Sequence, residues 1–254
     1  MFFLGLKLFS TNVNYVRPAL DLYDRGVFQY IELYAYPGSY KDMVQVWKDV
    51  SIPFRIHAPH YKDGLNFAKR ECEKNNMIMA SEALKFADAL EAETVIFHPG
   101  VNGKIAETAR QIKVLGDRRA VIENKPYYGK GENLICNGSS PEDILHIMSE
   151  TGAGFCLDFG HAICSANARD YNPIEYIERF IELKPAIYHL TDGDYTGLYD
   201  RHDHYGDGSY PMERLAGMVP GGSFITNEAV KNSPDNLDDF ASDIDILSGL
   251  LRRD

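Results

Sequence analysis

The stretch Gly154-Phe155-Cys156-Leu157-Asp158-Phe159-Gly160-His161 runs an apolar segment into a carboxylate and, three residues later, an imidazole. Stripping a carboxylate of water costs on the order of several kcal/mol unless a cation or a set of donors replaces that water, so Asp158 needs a partner. Five other short apolar runs end in the same way: Phe54-Arg55-Ile56-His57, Val95-Ile96-Phe97-His98, Val121-Ile122-Glu123-Asn124, Ile187-Tyr188-His189 and Phe224-Ile225-Thr226-Asn227-Glu228. A single run of this kind is ordinary, because a buried His or Glu is more often a satisfied core group than a ligand. His57, His98, Glu123, Asp158, His189 and Glu228 together form a constellation. Imidazoles and carboxylates converging without thiolates suit zinc, manganese or iron. A polar loop, Asp200-Arg201-His202-Asp203-His204-Tyr205-Gly206-Asp207-Gly208, adds further oxygen and nitrogen donors. Alone, such a loop reads as a solvated turn.

The elements that must position these groups follow from the hydrophobic periodicity. Strands are predicted over 2–8, 30–34, 54–58, 94–98, 120–124, 155–158, 186–190 and 224–228. Helical spacing covers 14–25, 40–49, 68–90, 105–115, 211–218 and 237–251. Two more helix starts are marked by Ser140-Pro141-Glu142-Asp143 and Asn172-Pro173-Ile174-Glu175, each a capping side chain followed by proline at the first helical position. Eight strands alternating with about eight helices imply a parallel sheet covered by helices, and eight units closing on themselves make a (β/α)8 TIM barrel. Chemistry in that fold sits at the C-terminal ends of the strands, where all six suspect residues fall. A length of 254 residues suits one barrel or two smaller domains, and no break in composition favours two, so residues 1–254 are read as a single domain.

The opening segment Met1-Phe2-Phe3-Leu4-Gly5-Leu6-Lys7-Leu8-Phe9 lacks a basic start and a cleavage region and carries Lys7, so it reads as the first strand. No apolar run approaches the ~20 residues that span a bilayer. The cysteines, Cys72, Cys136, Cys156 and Cys164, show no paired spacing, which points to reduced thiols and a cytoplasmic protein. A net charge of -11 argues against a nucleic-acid partner, although bound divalent ions would offset part of it at the site itself.

Segments spread over nearly the whole chain resemble the endonuclease IV-like AP endonucleases (AP endonuclease family 2), within the xylose isomerase-like TIM barrels. They are His57-Ala58-Pro59, Phe97-His98-Pro99-Gly100, Ile122-Glu123-Asn124, Leu157-Asp158 with His161, His189-Leu190-Thr191-Asp192, Asp200-Arg201-His202 with Gly206-Asp207-Gly208, and Glu228. The resemblance implies a trinuclear metal site, most readily zinc. His57, His98 and Glu123 would hold one ion. Glu123 would bridge to a second, completed by Asp158, His189 and Glu228, while His161, Asp200 and His202 would hold a third. It also implies phosphoester hydrolysis, with Glu123, Glu228 and Asp158 at the reacting centre. The loops that would grip a duplex depart from that pattern. Ala35-Tyr36-Pro37-Gly38-Ser39-Tyr40 is short and lacks arginine, His60 stands where a wedge tyrosine would fall, and strand five leads into Lys125-Pro126-Tyr127-Tyr128.

Two other functions remain open. A sugar or sugar-phosphate isomerase or epimerase of the same superfamily would use Glu123, Asp158, His189 and Glu228 around one manganese or magnesium ion. Glu123 and Glu228 would then move a proton beside a carbonyl, and His161 would contact substrate. A non-catalytic barrel would keep the ligands for stability or bind a partner. The expected partner is a small phosphorylated or sugar substrate, or abasic DNA, and Lys125 and Lys231 suit a small anion. Asn124 and Asp192 are expected to orient ligands through hydrogen bonds.

Overall fold

The computed structural model describes residues 1–252. Eight parallel strands pair in sequence order and the eighth closes on the first. They are β1 (Phe3–Phe9), β2 (Tyr30–Tyr34), β3 (Phe54–His57), β4 (Val95–Phe97), β5 (Ala120–Glu123), β6 (Gly154–Asp158), β7 (Ile187–His189) and β8 (Phe224–Asn227). Around them lie α1 (Val16–Asp24), α2 (Tyr40–Lys48), α3 (Glu73–Ala89), α4 (Ile105–Leu115), α5 (Pro141–Thr151), α6 (Phe159–Ala168), α7 (Pro173–Ile181), α8 (Met212–Gly217) and α9 (Asp238–Leu251). The expected TIM barrel is therefore what the chain forms. Among the described residues no helix is long and apolar enough to cross a membrane.

The period of two along each strand sorts side chains between two environments. Leu4, Leu6 and Leu8 of β1, Ile31 and Leu33 of β2 and Phe155 and Leu157 of β6 belong to the apolar layer between sheet and helices, with Trp47, Phe86, Ile147 and Phe180 from the helix side. The alternate positions fill the barrel in tiers. At the bottom Phe3 stacks on Phe224 and the Arg55 guanidinium lies 3.7 Å from the Phe224 ring centroid. Above it Ile96, Val121, Cys156 and Ile187 form a separate buried apolar cluster. Gly5 makes room for this filling: a Cβ there would lie 2.3 Å from the buried Tyr30 ring. The next inward position of each strand opens on the C-terminal face, and those positions include His57, Glu123, Asp158 and His189.

Two helices depart most from expectation. The predicted helix over 68–90 begins only at Glu73, after a short 3-10 turn at Arg70–Cys72. Residue 68 is tied elsewhere, since its carbonyl accepts from the Lys104 amide. α6 was not expected, because Phe159 to Ala166 are all buried and show no polar face from which a helical period could be read. Its start is fixed chemically, by the Asp158 carboxylate accepting from the His161 amide at 2.7 Å.

Candidate metal centre

Seven of the nine expected ligand residues, His57, His98, Glu123, His161, Asp200, His202 and Glu228, line one cavity of about 530 Å³ on the C-terminal face. Asp158 and His189 lie against it, and neither is more than 4% exposed. Strand register brings them together: Asp158 of β6 pairs with His189 of β7, and His189 with Thr226 of β8, two residues before Glu228. His161 arrives from the first turn of α6, one helical turn past Asp158. Asp200 and His202 come from the loop after β7, in which His202 holds a left-handed backbone, φ 57°.

Three groups of donors result. Glu123 Oε2 lies 3.0 Å from both His57 Nε2 and His98 Nε2. His189 Nδ1 faces three carboxylates, 3.5 Å from Glu123 Oε2, 3.5 Å from Glu228 Oε2 and 4.0 Å from Asp158 Oδ2. Asp200 Oδ2 is 2.5 Å from His202 Nε2 and 3.7 Å from His161 Nε2. His161 also reaches inward, with Nδ1 3.0 Å from Glu123 Oε1. His57, His98 and Glu123 have donor atoms close enough to share one ion, as have His161, Asp200 and His202; Glu123 with Asp158 and His161, and Glu32 with His189 and Glu228, are further groups of that kind.

The donor set fits a metal by its unsatisfied atoms as well as by its composition. His98 Nδ1, His189 Nδ1, His202 Nδ1 and Asp200 Oδ1 are buried without a hydrogen-bond partner. Buried polar groups are nearly always paired, so four unpartnered atoms on expected ligand residues around one cavity mark a cluster built to meet a further group. His189 is the clearest case. Its Nε2 hydrogen-bonds Glu32 Oε2 at 3.0 Å, which turns the ring so that Nδ1 faces the three carboxylates. A carboxylate behind a ligating imidazole fixes the tautomer and raises its basicity.

Glu32 was missed by the sequence reading, as was its ion-pair partner. Glu32 is wholly buried in β2 and also accepts from Thr226 Oγ1 at 2.7 Å. Lys7 of β1 places its ammonium between two carboxylates, 2.6 Å from Glu32 Oε1 and 2.5 Å from Glu228 Oε1. Lys7 and Glu32 are register partners across β1 and β2. Their signal in the sequence is one charge of each sign standing inside an otherwise apolar strand, Phe3-Leu4-Gly5-Leu6-Lys7 and Tyr30-Ile31-Glu32-Leu33. Asn124 brackets the backbone of Asp158, accepting from its amide at 2.7 Å and donating to its carbonyl at 2.9 Å. Asp192 touches no ligand residue side chain. It gathers the Gly193, Gly206 and Tyr210 amides and so shapes the loop that carries Asp200 and His202.

The electrostatics of the centre are those of crowded acids shared among cations. Burial acts to raise Glu123, but His98, Lys125 and hydrogen bonds from His161 and His57 outweigh it and hold the carboxyl well below its usual range. Asp158 goes the other way, up to about 6, because burial is reinforced by Asp200, Glu123 and Glu228. Burial opposes charge on His202, yet Asp200 beside it lifts the imidazole to about 9. His98 falls well below the ordinary histidine value through burial. Neighbouring groups are thus pushed apart, a pattern concentrated at functional sites.

Around the mouth stand aromatic and basic side chains. Tyr34 stacks on His57, with centroids 5.3 Å apart, and His60 on His98, at 5.8 Å. His60 thus packs over the ligands rather than projecting as a wedge. Tyr61, Tyr128, Lys62, Lys130 and Lys231 complete the wall, and none of these three lysines pairs with a carboxylate among the described residues. Lys231 donates to the Ala229 carbonyl at 2.6 Å, and burial lowers its ammonium to about 8.

The family described as "Xylose isomerase-like TIM barrel" matches residues 21–221. The chain belongs to that family. Among its curated relatives, a "Probable endonuclease 4" of Thermoplasma volcanium is 29% identical over 171 residues, 60% of this chain and 58% of that protein. The chain thus spans about three fifths of the length of the curated relatives it matches first. Among solved structures, endonuclease IV from Thermus thermophilus superposes with a TM-score of 0.72 at 20% identity, covering 98% of both chains. A "D-tagatose 3-epimerase-like protein" does so with a TM-score of 0.70 at 20% identity, covering 97% of this chain and 96% of that one. At these identities the likeness is one of fold alone.

Proposed function

We propose that the chain is a metal-dependent hydrolase of phosphoester bonds that acts on a small phosphorylated molecule rather than on a DNA duplex. The observation that carries this reading is the complete nine-residue donor set around one cavity whose wall bears lysines without carboxylate partners. Two or three ions would be held, by ligands drawn from three groups: His57, His98 and Glu123; Glu123, Asp158, His189 and Glu228; and His161, Asp200 and His202. Zinc suits the imidazole and carboxylate donors, with manganese as the alternative. When bound, such ions polarise a phosphoryl oxygen and lower the pKa of coordinated water toward ~7.

The protein's own side chains do the rest. Lys62, Lys130 and Lys231 would draw the phosphate group to the mouth and orient it. Tyr34 and His60, packed over the histidines, keep the imidazole rings in place. Glu32 and Lys7 fix His189 and Glu228 from behind, so that geometry is set before substrate arrives. A cavity of about 530 Å³ accepts a small molecule, and duplex affinity depends on many phosphate contacts, which the short loop 35–40 is poorly equipped to supply.

A single observation favours a second reading. One imidazole nitrogen, His189 Nδ1, already faces three carboxylates, which is the donor set of a one-ion isomerase or epimerase with Glu123 and Glu228 as its proton-moving pair. The deciding experiment incubates purified protein, loaded with zinc or manganese, with small phosphomonoesters, phosphodiesters and an abasic-site duplex. The expected result is phosphate-ester cleavage of a small substrate, abolished by chelation and restored by metal. Interconversion of keto and aldo sugars without any ester cleavage would overturn the hydrolase reading in favour of the second.

A further inference from the structure

Lys125 stands two residues beyond Glu123, and its backbone is anchored by a hydrogen bond from its amide to the Gly138 carbonyl at 3.0 Å. Its side chain turns down into the cavity instead of out to solvent and is only 8% exposed. There the ammonium touches three of the expected ligand residues at once. Nζ is 3.0 Å from Glu123 Oε1, 3.3 Å from His98 Nε2, and 3.3 and 3.2 Å from the two ring nitrogens of His161.

Those atoms are claimed twice. His98 Nε2 and Glu123 belong to the group with His57, and His161 belongs to the group with Asp200 and His202. Charge and space decide the competition: an ammonium 3.0 Å from Glu123 Oε1 and within 3.3 Å of His98 and His161 ring nitrogens stands where an ion bound by those side chains would sit, and two cations so close repel each other. A lysine that enters the boundary between two ligand groups therefore competes with an ion for both of them. Of the central group only the shared member, Glu123, is engaged. Asp158, Glu228 and His189 make no hydrogen bond or ion pair with Lys125 Nζ, and among the described lysines only Lys7 pairs with one of these three, at Glu228 Oε1.

We propose that the Lys125 ammonium is a built-in cation of this centre, which takes the place of one divalent ion, so that the chain loads at most two ions although its residues could supply ligands for three. In the phosphoesterase reading, on which the chemical use of this arrangement rests, the third positive charge facing the substrate is then a side chain. It has N–H donors to offer a phosphoryl oxygen, and it stays whatever the supply of metal. The ion count itself does not depend on which reaction is catalysed.

The test is elemental mass spectrometry on the full-length protein and its Lys125→Met and Lys125→Gln variants, each equilibrated with buffered zinc and desalted. Two ions or fewer per chain in the parent protein and about one more per chain in either variant are expected. Three ions in the parent, or the same count in parent and folded variants, would overturn the proposal. Should Lys125→Met not fold, Lys125→Gln keeps a polar group of similar reach without the charge, and the parent count still decides by itself whether three ions are loaded. Failure of the phosphoesterase reading would show separately, as absence of ester cleavage with the ion count unchanged.

Discussion

Replacing Glu32 by glutamine isolates the role of a carboxylate that touches no substrate and no proposed ion. Its two oxygens face only donors: Lys7 Nζ at 2.6 Å on one side, His189 Nε2 at 3.0 Å and Thr226 Oγ1 at 2.7 Å on the other. A glutamine amide has one oxygen and one NH2, so one of these faces must meet donor with donor. If the NH2 turns toward Lys7, the ammonium keeps only Glu228; if it turns toward His189, the imidazole loses the acceptor that sets its tautomer. An unpaired buried donor costs about 1–3 kcal/mol of stability. Loss of a partner behind a metal-ligating histidine lowers metal affinity about 10–100-fold, equivalent to about 1.4–2.7 kcal/mol. Competition titration of zinc against a chromophoric chelator, at one pH and alongside thermal unfolding of the metal-free proteins, would separate the two effects. A variant that unfolds more easily but binds the tightest zinc ion within about twofold of the parent would refute the argument that Glu32 prepares His189 for a metal.

Chelation is expected to lower the melting temperature. An ion present at ~100 times its dissociation constant adds about 2.7 kcal/mol, and for a chain of this size that corresponds to a fall of roughly 5–10 °C in a thermal melt; an unchanged melt would argue against a filled metal centre. Gly5→Ala would force a methyl group into the Tyr30 ring and is expected to cost about 1–3 kcal/mol by overpacking, measured by denaturant unfolding, with the ion count unaltered. Lys231→Met is expected to weaken inhibition by inorganic phosphate several-fold. In the parent protein the same inhibition should weaken as the pH rises past about 8, because a lysine lowered to that value loses its charge there; a pH-independent inhibition constant that Lys231→Met does not alter would remove Lys231 from the phosphate-binding wall.

The barrel was legible in the sequence because its two kinds of element announce themselves. Apolar runs such as Val95-Ile96-Phe97 could only be buried strands, and cap signatures such as Asn172-Pro173 fixed where a helix begins. His57, His98, Glu123, Asp158, His189 and Glu228 stood out because a charge or imidazole after an apolar run interrupts the pattern at its end. Glu32 and Lys7 interrupt it in the middle. A charge inside a strand gives no hint of its partner until the register places Lys7 beside Glu32. α6 escaped for the opposite reason: a helix buried on every side leaves no alternation to read. Lys125 was visible as a residue suited to an anion, but the fold of the loop from 125 to 139, which turns its ammonium inward, comes from backbone pairings such as Tyr127 with Cys136 that no local pattern specifies.

The stacked filling of the barrel interior closes its lower end among the described residues and leaves the upper rim as the door to the donors. Phe3, Arg55 and Phe224 stop the lower end, and the cluster of Ile96, Val121, Cys156 and Ile187 lies between that stopper and the donors. Substrate, water and product must all pass the same rim, where Tyr61, Tyr128 and the three lysines stand. If the substrate is a phosphate ester, as proposed, traffic is sequential: a leaving anion would have to clear the basic rim before the next one could enter. The side chains that would concentrate such a substrate at the opening would also delay the departure of the phosphate it yields, so turnover in such a vessel would be tied to the grip of its own threshold.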